Sequence, residues 1–137
     1  GYVSEMHSDL SIDGAVVEVY KDGELFDITL NDETFSLYLP GPGKYNLIIS
    51  HEGYLPKTFA FDLSDIIPGL LDFITHDIHI GLYSMVEGFN MDILTEPISI
   101  KTFNKETDEI ISDKEYHEIR KGLIVTEFKR LGVDVGQ

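Results

Sequence analysis

The chain has 137 residues, 42% of them apolar and 26% charged, with neither Cys nor Trp; that is enough apolar material to exclude wholesale disorder and suits one ordinary domain, alone or with a small appendage. Twenty-five acids against ten bases leave −15 with His neutral, a field that repels phosphate backbones and anionic headgroups, so no nucleic acid is expected as a partner. Zero Cys removes disulfides, thiolate zinc sites and cysteine nucleophiles, and no apolar run approaches the ~20 residues that span a bilayer, so no membrane insertion is expected.

In chain order, alternation dominates residues 1–62. Ala15, Val17 and Val19 share one face of a strand, with Val16, Glu18 and Tyr20 on the other. The same period of two recurs in Phe26-Ile28-Leu30, Phe35-Leu37-Leu39, Tyr45-Leu47-Ile49 and Phe59-Phe61, so each set is expected to point into a sandwich. Turn residues separate the runs at Lys21-Asp22-Gly23, Asn31-Asp32-Glu33, Pro40-Gly41-Pro42-Gly43 and His51-Glu52-Gly53. Short strands with turns at this spacing indicate a sandwich or barrel, not βαβ units. Residues 63–73 read as a connection. Alternation resumes over Ile74 to Leu82, with Ile74, His76, Ile78 and Ile80 on one face and Asp77 and His79 on the other.

Beyond residue 82 the reading is a C-terminal extension, 83–137. Tyr83 to Glu96 forms an irregular crossover, and one strand fits about 98–103. A helix is predicted over about 113–131, opened by Ser112-x-x-Glu115 as a capping box and closed by Gly132. Its apolar stripe is Tyr116, Ile119, Leu123, Phe128 and Leu131. Such a stripe needs a partner surface: the sandwich, another chain, or a continuation of this one. The charge is uneven: residues 1–100 carry 17 acids and three bases, residues 101–137 eight acids and seven bases.

Candidate chemistry is sparse. His76 and His79 are the most metal-like pair, but residues three apart on a strand point to opposite faces and cannot share one ion. Asn31-Asp32-Glu33 and Asp62 with Asp65 and Asp72 offer oxygen ligands without the spacing of a calcium loop. No G-x-S-x-G elbow and no glycine-rich phosphate cradle opening a helix occurs, so neither catalytic residues nor a cofactor is expected. Tyr20, Tyr38 and Tyr54 are candidates for a carbohydrate platform. Tyr116, Ile119, Leu123 and Phe128 are candidates for a protein partner or self-association.

Several stretches together carry a family resemblance: Gly1-Tyr2-Val3, Ile12 through Tyr20, Phe35 through Pro40, Gly43 through Ile49, and Glu52-Gly53-Tyr54. They resemble the carboxypeptidase regulatory-like domain, over roughly residues 1–80. The resemblance implies a mainly β fold, a transthyretin-like antiparallel β-sandwich of about seven strands over 1–82, and an accessory role without chemistry of its own. Asn31-Asp32-Glu33-Thr34-Phe35 departs from the family's T-D-x-x-G-x-F by lacking the Gly. The extension, with Leu94 through Ile98 and Asn104 through Asp108, resembles a tail on envelope proteins of Bacteroidetes-type bacteria. It implies export to the periplasm or outer envelope. Gly1 in the place of an initiator Met is read as a processed product or a fragment.

Overall fold

A computed structural model describes residues 1–6, 8, 10–37, 39, 41–66 and 78–135. Its order is β1 (Tyr2–Glu5), β2 (Val16–Lys21), β3 (Glu24–Leu30), β4 (Lys44–Ser50), β5 (Lys57–Asp62), β6 (His79–Leu82), a 3-10 turn (Met91–Leu94), β7 (Ser99–Asn104), β8 (Glu109–Ser112) and α1 (Lys114–Arg130). Among the described residues the fold is mainly β: eight strands in two sheets with one C-terminal helix, consistent with a β-sandwich. Six strands form one sheet in the order β3-β2-β4-β5-β7-β8, and β1 pairs with β6 in a second. Pairing is antiparallel except at β1·β6 and β5·β7. The strands of the extension, β7 and β8, thus continue the sheet begun by β2–β5.

Period two builds the main core. Val17 and Val19 of β2, Tyr45, Leu47 and Ile49 of β4 and Phe61 of β5 are buried against Val3, Ile80 and Leu82 of the small sheet. The β2–β3 hairpin closes on Asp22 and Gly23, both at positive φ (50° and 87°), the geometry of a type I′ turn that Asp-Gly favours. Asn31 follows β3 and is fully buried. Its side chain accepts from the Val3 amide and donates to the Ile12 carbonyl at 3.1 Å, tying β1 and the 10–13 segment to the end of the hairpin.

Two expectations for this half are corrected. Phe26, Ile28 and Leu30 do not enter the core: the register puts Ile28 and Leu30 on the face turned away from Val17 and Val19, and Phe26 is the extra residue of a bulge, leaving Ile28 53% and Leu30 58% exposed. Residues 35–37 and 39 form no strand, although the expected apolar set does meet the core: Phe35 is buried, with Leu37 and Leu39 packed against the cluster. The Phe35 amide and carbonyl bond the carbonyl and the amino group of Gly1. The part of the expected strand at Ile74–Asp77 lies outside the described residues.

Leu55, Tyr83, Phe89, Ile98, Ile124 and Phe128 form a second core beneath α1, and Phe59 packs against both cores. The N-cap of α1 is Asp113, not Ser112: the Asp113 carboxylate accepts from the Tyr116 amide at 3.0 Å, while Ser112 ends β8 and accepts from Lys101. At the other end Gly132 takes φ 77°, with Val133 N–H bonding the Phe128 carbonyl and Gly132 N–H that of Lys129. This is a Schellman motif, in which glycine reaches the left-handed region without steric cost.

The expected helical stripe is also corrected. Phe128 is 1% exposed, but Ile119 is 58% and Leu123 43% exposed. The packed face instead runs through Ile124 and Phe128, flanked by polar residues whose tips satisfy carbonyls of the crossover. Tyr116 OH donates to Pro97 O, His117 Nδ1 lies 3.0 Å from Ile98 O, and an Arg120 guanidinium nitrogen donates to Ile93 O. The crossover is ordered by these bonds and by its 3-10 turn, capped by Asn90.

Candidate functional site

Among the described residues, one surface with large exposed apolar side chains is the outer face of the six-stranded sheet. The register assigns its residues. Val17 and Val19 point into the core, so Val16, Glu18 and Tyr20 point away from it, and their partners share that side: Leu30, Ile28 and Leu25 on β3, Ser50, Ile48 and Asn46 on β4. Thr58 and Ala60 of β5 continue the rows. Tyr20, Ile48 and Val16 are half-buried by their neighbours, whereas Leu25, Ile28 and Leu30 stand open. A register shift between Val19 and Tyr20 adds Phe26 as an extra residue, itself 45% exposed. Beside it lies an open depression of about 410 Å³ lined by Lys21, Asp22, Glu24, Leu25 and Phe26. Four large apolar side chains exposed within one seven-residue strand are unusual for a surface with no partner.

The candidate tyrosines among the described residues do not converge on one platform. Tyr20 lies on the outer face and its hydroxyl donates to Glu18 at 3.2 Å, which pushes the phenol upward in pKa. Tyr54 hydrogen-bonds the Glu5 carboxylate, again raising its pKa, and its ring meets His51 edge-on at 5.7 Å. Tyr116 is committed to the crossover. Tyr38 lies outside the described residues. Of the helical candidates, Ile119 and Leu123 remain accessible, while Phe128 is packed between Tyr83 and Phe89, at 5.3 and 5.0 Å between ring centres.

Sequence reasoning missed one constellation. Ser4 Oγ and His79 Nε2 lie 2.6 Å apart, and His79 stacks on Tyr2 at 4.1 Å. The residues are 75 apart in sequence, so only the β1·β6 pairing joins them. Ser4 has no exposed surface, and in this arrangement its hydroxyl cannot meet a substrate. The pair satisfies a buried hydroxyl.

The described oxygen ligands singled out in the sequence do not form one cluster. Asn31 is spent in the core and Asp32 and Glu33 turn to solvent. Asp62 bonds both the amide and the hydroxyl of Ser64, which lowers its pKa. Among the described residues no three His, Asp or Glu side chains converge on a point that could hold an ion; His76, Asp77 and Asp72 lie outside them. Likewise, no described helix is long and apolar enough to cross a membrane.

Two charged groups are strongly perturbed. Glu127, with 7% of its surface exposed, receives two bonds from Arg130 and one from the Asn90 amide. Arg130 also donates to Gly88 O. These donors, Arg130 first, hold the carboxyl down at about 2. Lys57, at the start of β5, places its amine over the Tyr83 ring at 5.0 Å; burial, then the charge of Lys121, lowers it to about 8. Both groups knit α1 and its surroundings and neither faces the open sheet. Comparisons with protein-family models, curated proteins and solved structures found no match for this chain.

Proposed function

We propose that this chain is a non-catalytic, structural and protein-interaction module that docks through the outer face of its six-stranded sheet. The observation that carries the reading is the exposure of Leu25, Phe26, Ile28 and Leu30 on one edge strand, contiguous with Val16, Tyr20 and Ile48. A strand with no partner is ordinarily guarded against such exposure, because it would otherwise recruit other chains. The resemblance to carboxypeptidase regulatory-like domains supports an accessory role beside other domains, and that to Bacteroidetes-type envelope proteins supports an exported setting. With Tyr20 on the outer face and Tyr54 turned to Glu5 and His51, the carbohydrate-binding alternative has less to stand on than the sheet face.

A photo-crosslinking residue at position 28 in the full-length protein, expressed in its own cell, tests the reading. A discrete protein adduct is expected there, absent from a probe at exposed Glu118 and lost on Leu30→Lys. Crosslinking that is equal at both positions, or absent across the open face, refutes it.

A further inference from the structure

The two edges of the six-stranded sheet are unequal. β8 has four residues, whereas β3 has seven. The direction of β3's hydrogen-bonding groups follows from its end: the Asn31 amide reaches inward to the Ala15 carbonyl at 2.9 Å. Amides alternate sides along a strand, so those of Leu30 and Ile28 face the edge that no described strand pairs with. The Ile28 amide is not idle. It donates to the carboxylate of the preceding residue, Asp27, at 2.9 Å. An acid thus covers an edge donor within an apolar strand.

The charge around this edge is one-sided. Residues 13–33 carry seven acids, and Lys21 is their one base. Lys21 pairs in register with Glu24 and lies over the Tyr45 ring at 5.7 Å. A second copy of the chain would bring a further −15 to an already acidic edge, which disfavours self-association there. A basic segment would meet both requirements.

Taking the open sheet as the docking face, we propose that β3 is a strand-addition site for an extended segment of another protein that alternates apolar and basic residues. Its apolar residues lie beside Leu25, Ile28 and Leu30 on the outer face. Its basic residues fall on the side of Asp27. Drawing the Asp27 carboxylate onto an arriving cation releases the Ile28 amide for an incoming carbonyl, so charge recognition and backbone pairing are coupled.

The test uses the 137-residue chain with a short synthetic peptide alternating valine and lysine, and a valine–glutamate counterpart as control. Amide exchange and methyl shifts are followed by NMR. The valine–lysine peptide is expected to slow exchange at Ile28 and Leu30, to bind more weakly as salt rises, and to lose affinity roughly tenfold on Asp27→Lys. Glu118→Lys, an equal charge change on the exposed side of α1, leaves affinity nearly unaltered, and circular dichroism verifies that both variants fold. Methyl shifts at Ile28 and Ile48 without amide protection overturn strand addition but leave the docking face standing. Equal binding of both peptides, equal loss in both variants, or a β3-paired homodimer in light scattering overturns the charge-selected partner. Lack of any response from the sheet overturns the inference, while the crosslinking result decides the broader reading separately.

Discussion

Phe128→Ala removes a ring that is 1% exposed and wedged between Tyr83 and Phe89. Buried aromatic side chains cover about 150–250 Å², and at about 25 cal/mol per Å² the atoms lost beyond Cβ represent on the order of 3 kcal/mol. The cavity left under α1 and the loss of two tilted ring contacts raise the expected cost to about 3–5 kcal/mol. That is a large share of the ~5–15 kcal/mol typical of a whole domain. Leu123→Ala is the contrasting perturbation: with 43% of its surface already in water, and Ala a slightly better helix former, it is expected to cost under about 1 kcal/mol. Urea unfolding followed by circular dichroism, with unchanged m-values, measures both. If Leu123→Ala destabilises as much as Phe128→Ala, α1 is rotated from the orientation described and the packing argument fails.

Gly122→Ala places a methyl group where nothing lies within 4 Å; the gain in helix propensity should stabilise the protein by about 1 kcal/mol, and a lower urea midpoint would contradict it. Glu127, lowered from its ordinary 4.5 to about 2, contributes stability that is whole above pH 4.5 and is lost as pH falls through about 2. In acid titrations Glu127→Gln should therefore flatten that decline, and coincident wild-type and variant curves would refute the clamp. Lys57, lowered from 10.5 to about 8, leaves the unfolded chain binding more protons between those values, so its contribution makes stability rise with pH across that window. Lys121→Gln should move the Lys57 amine upward, read from its side-chain NMR titration; an unmoved midpoint would remove Lys121 as a cause.

The sheet's centre was legible in the sequence because β2 and β4 alternate cleanly and are walled by strands on both sides. Period two says which residues share a face. It does not say whether that face is covered, which is why Phe26, Ile28 and Leu30 read as core and proved to be edge. Phe35 is buried without belonging to a strand, since burial needs only a neighbour and a ladder needs a partner in register. In α1 the spacing puts Ile119 and Leu123 in one stripe with Phe128 and Leu131, yet of these four only Phe128 and Leu131 pack into the core beneath the helix. The packed side also includes His117 and Arg120, polar residues outside the expected stripe, which together with Tyr116 of that stripe meet the carbonyls of Ile98, Ile93 and Pro97. The candidate docking face is half visible in the sequence: alternation marks Tyr20, but its neighbours across the hairpin become apparent only from register. Ser4 and His79 are joined solely by a parallel pairing that neither short segment announces.

The central claim is that one layer of the large sheet is sealed and the other, with β3, stands open. Solvent paramagnetic relaxation of methyl groups tests it most directly, using an inert soluble gadolinium chelate and the free protein. The account predicts strong enhancement at Leu25, Ile28 and Leu30 and almost none at Leu47, Ile49 and Ile80. Ile28 and Leu30 shielded as well as Ile49 would contradict it.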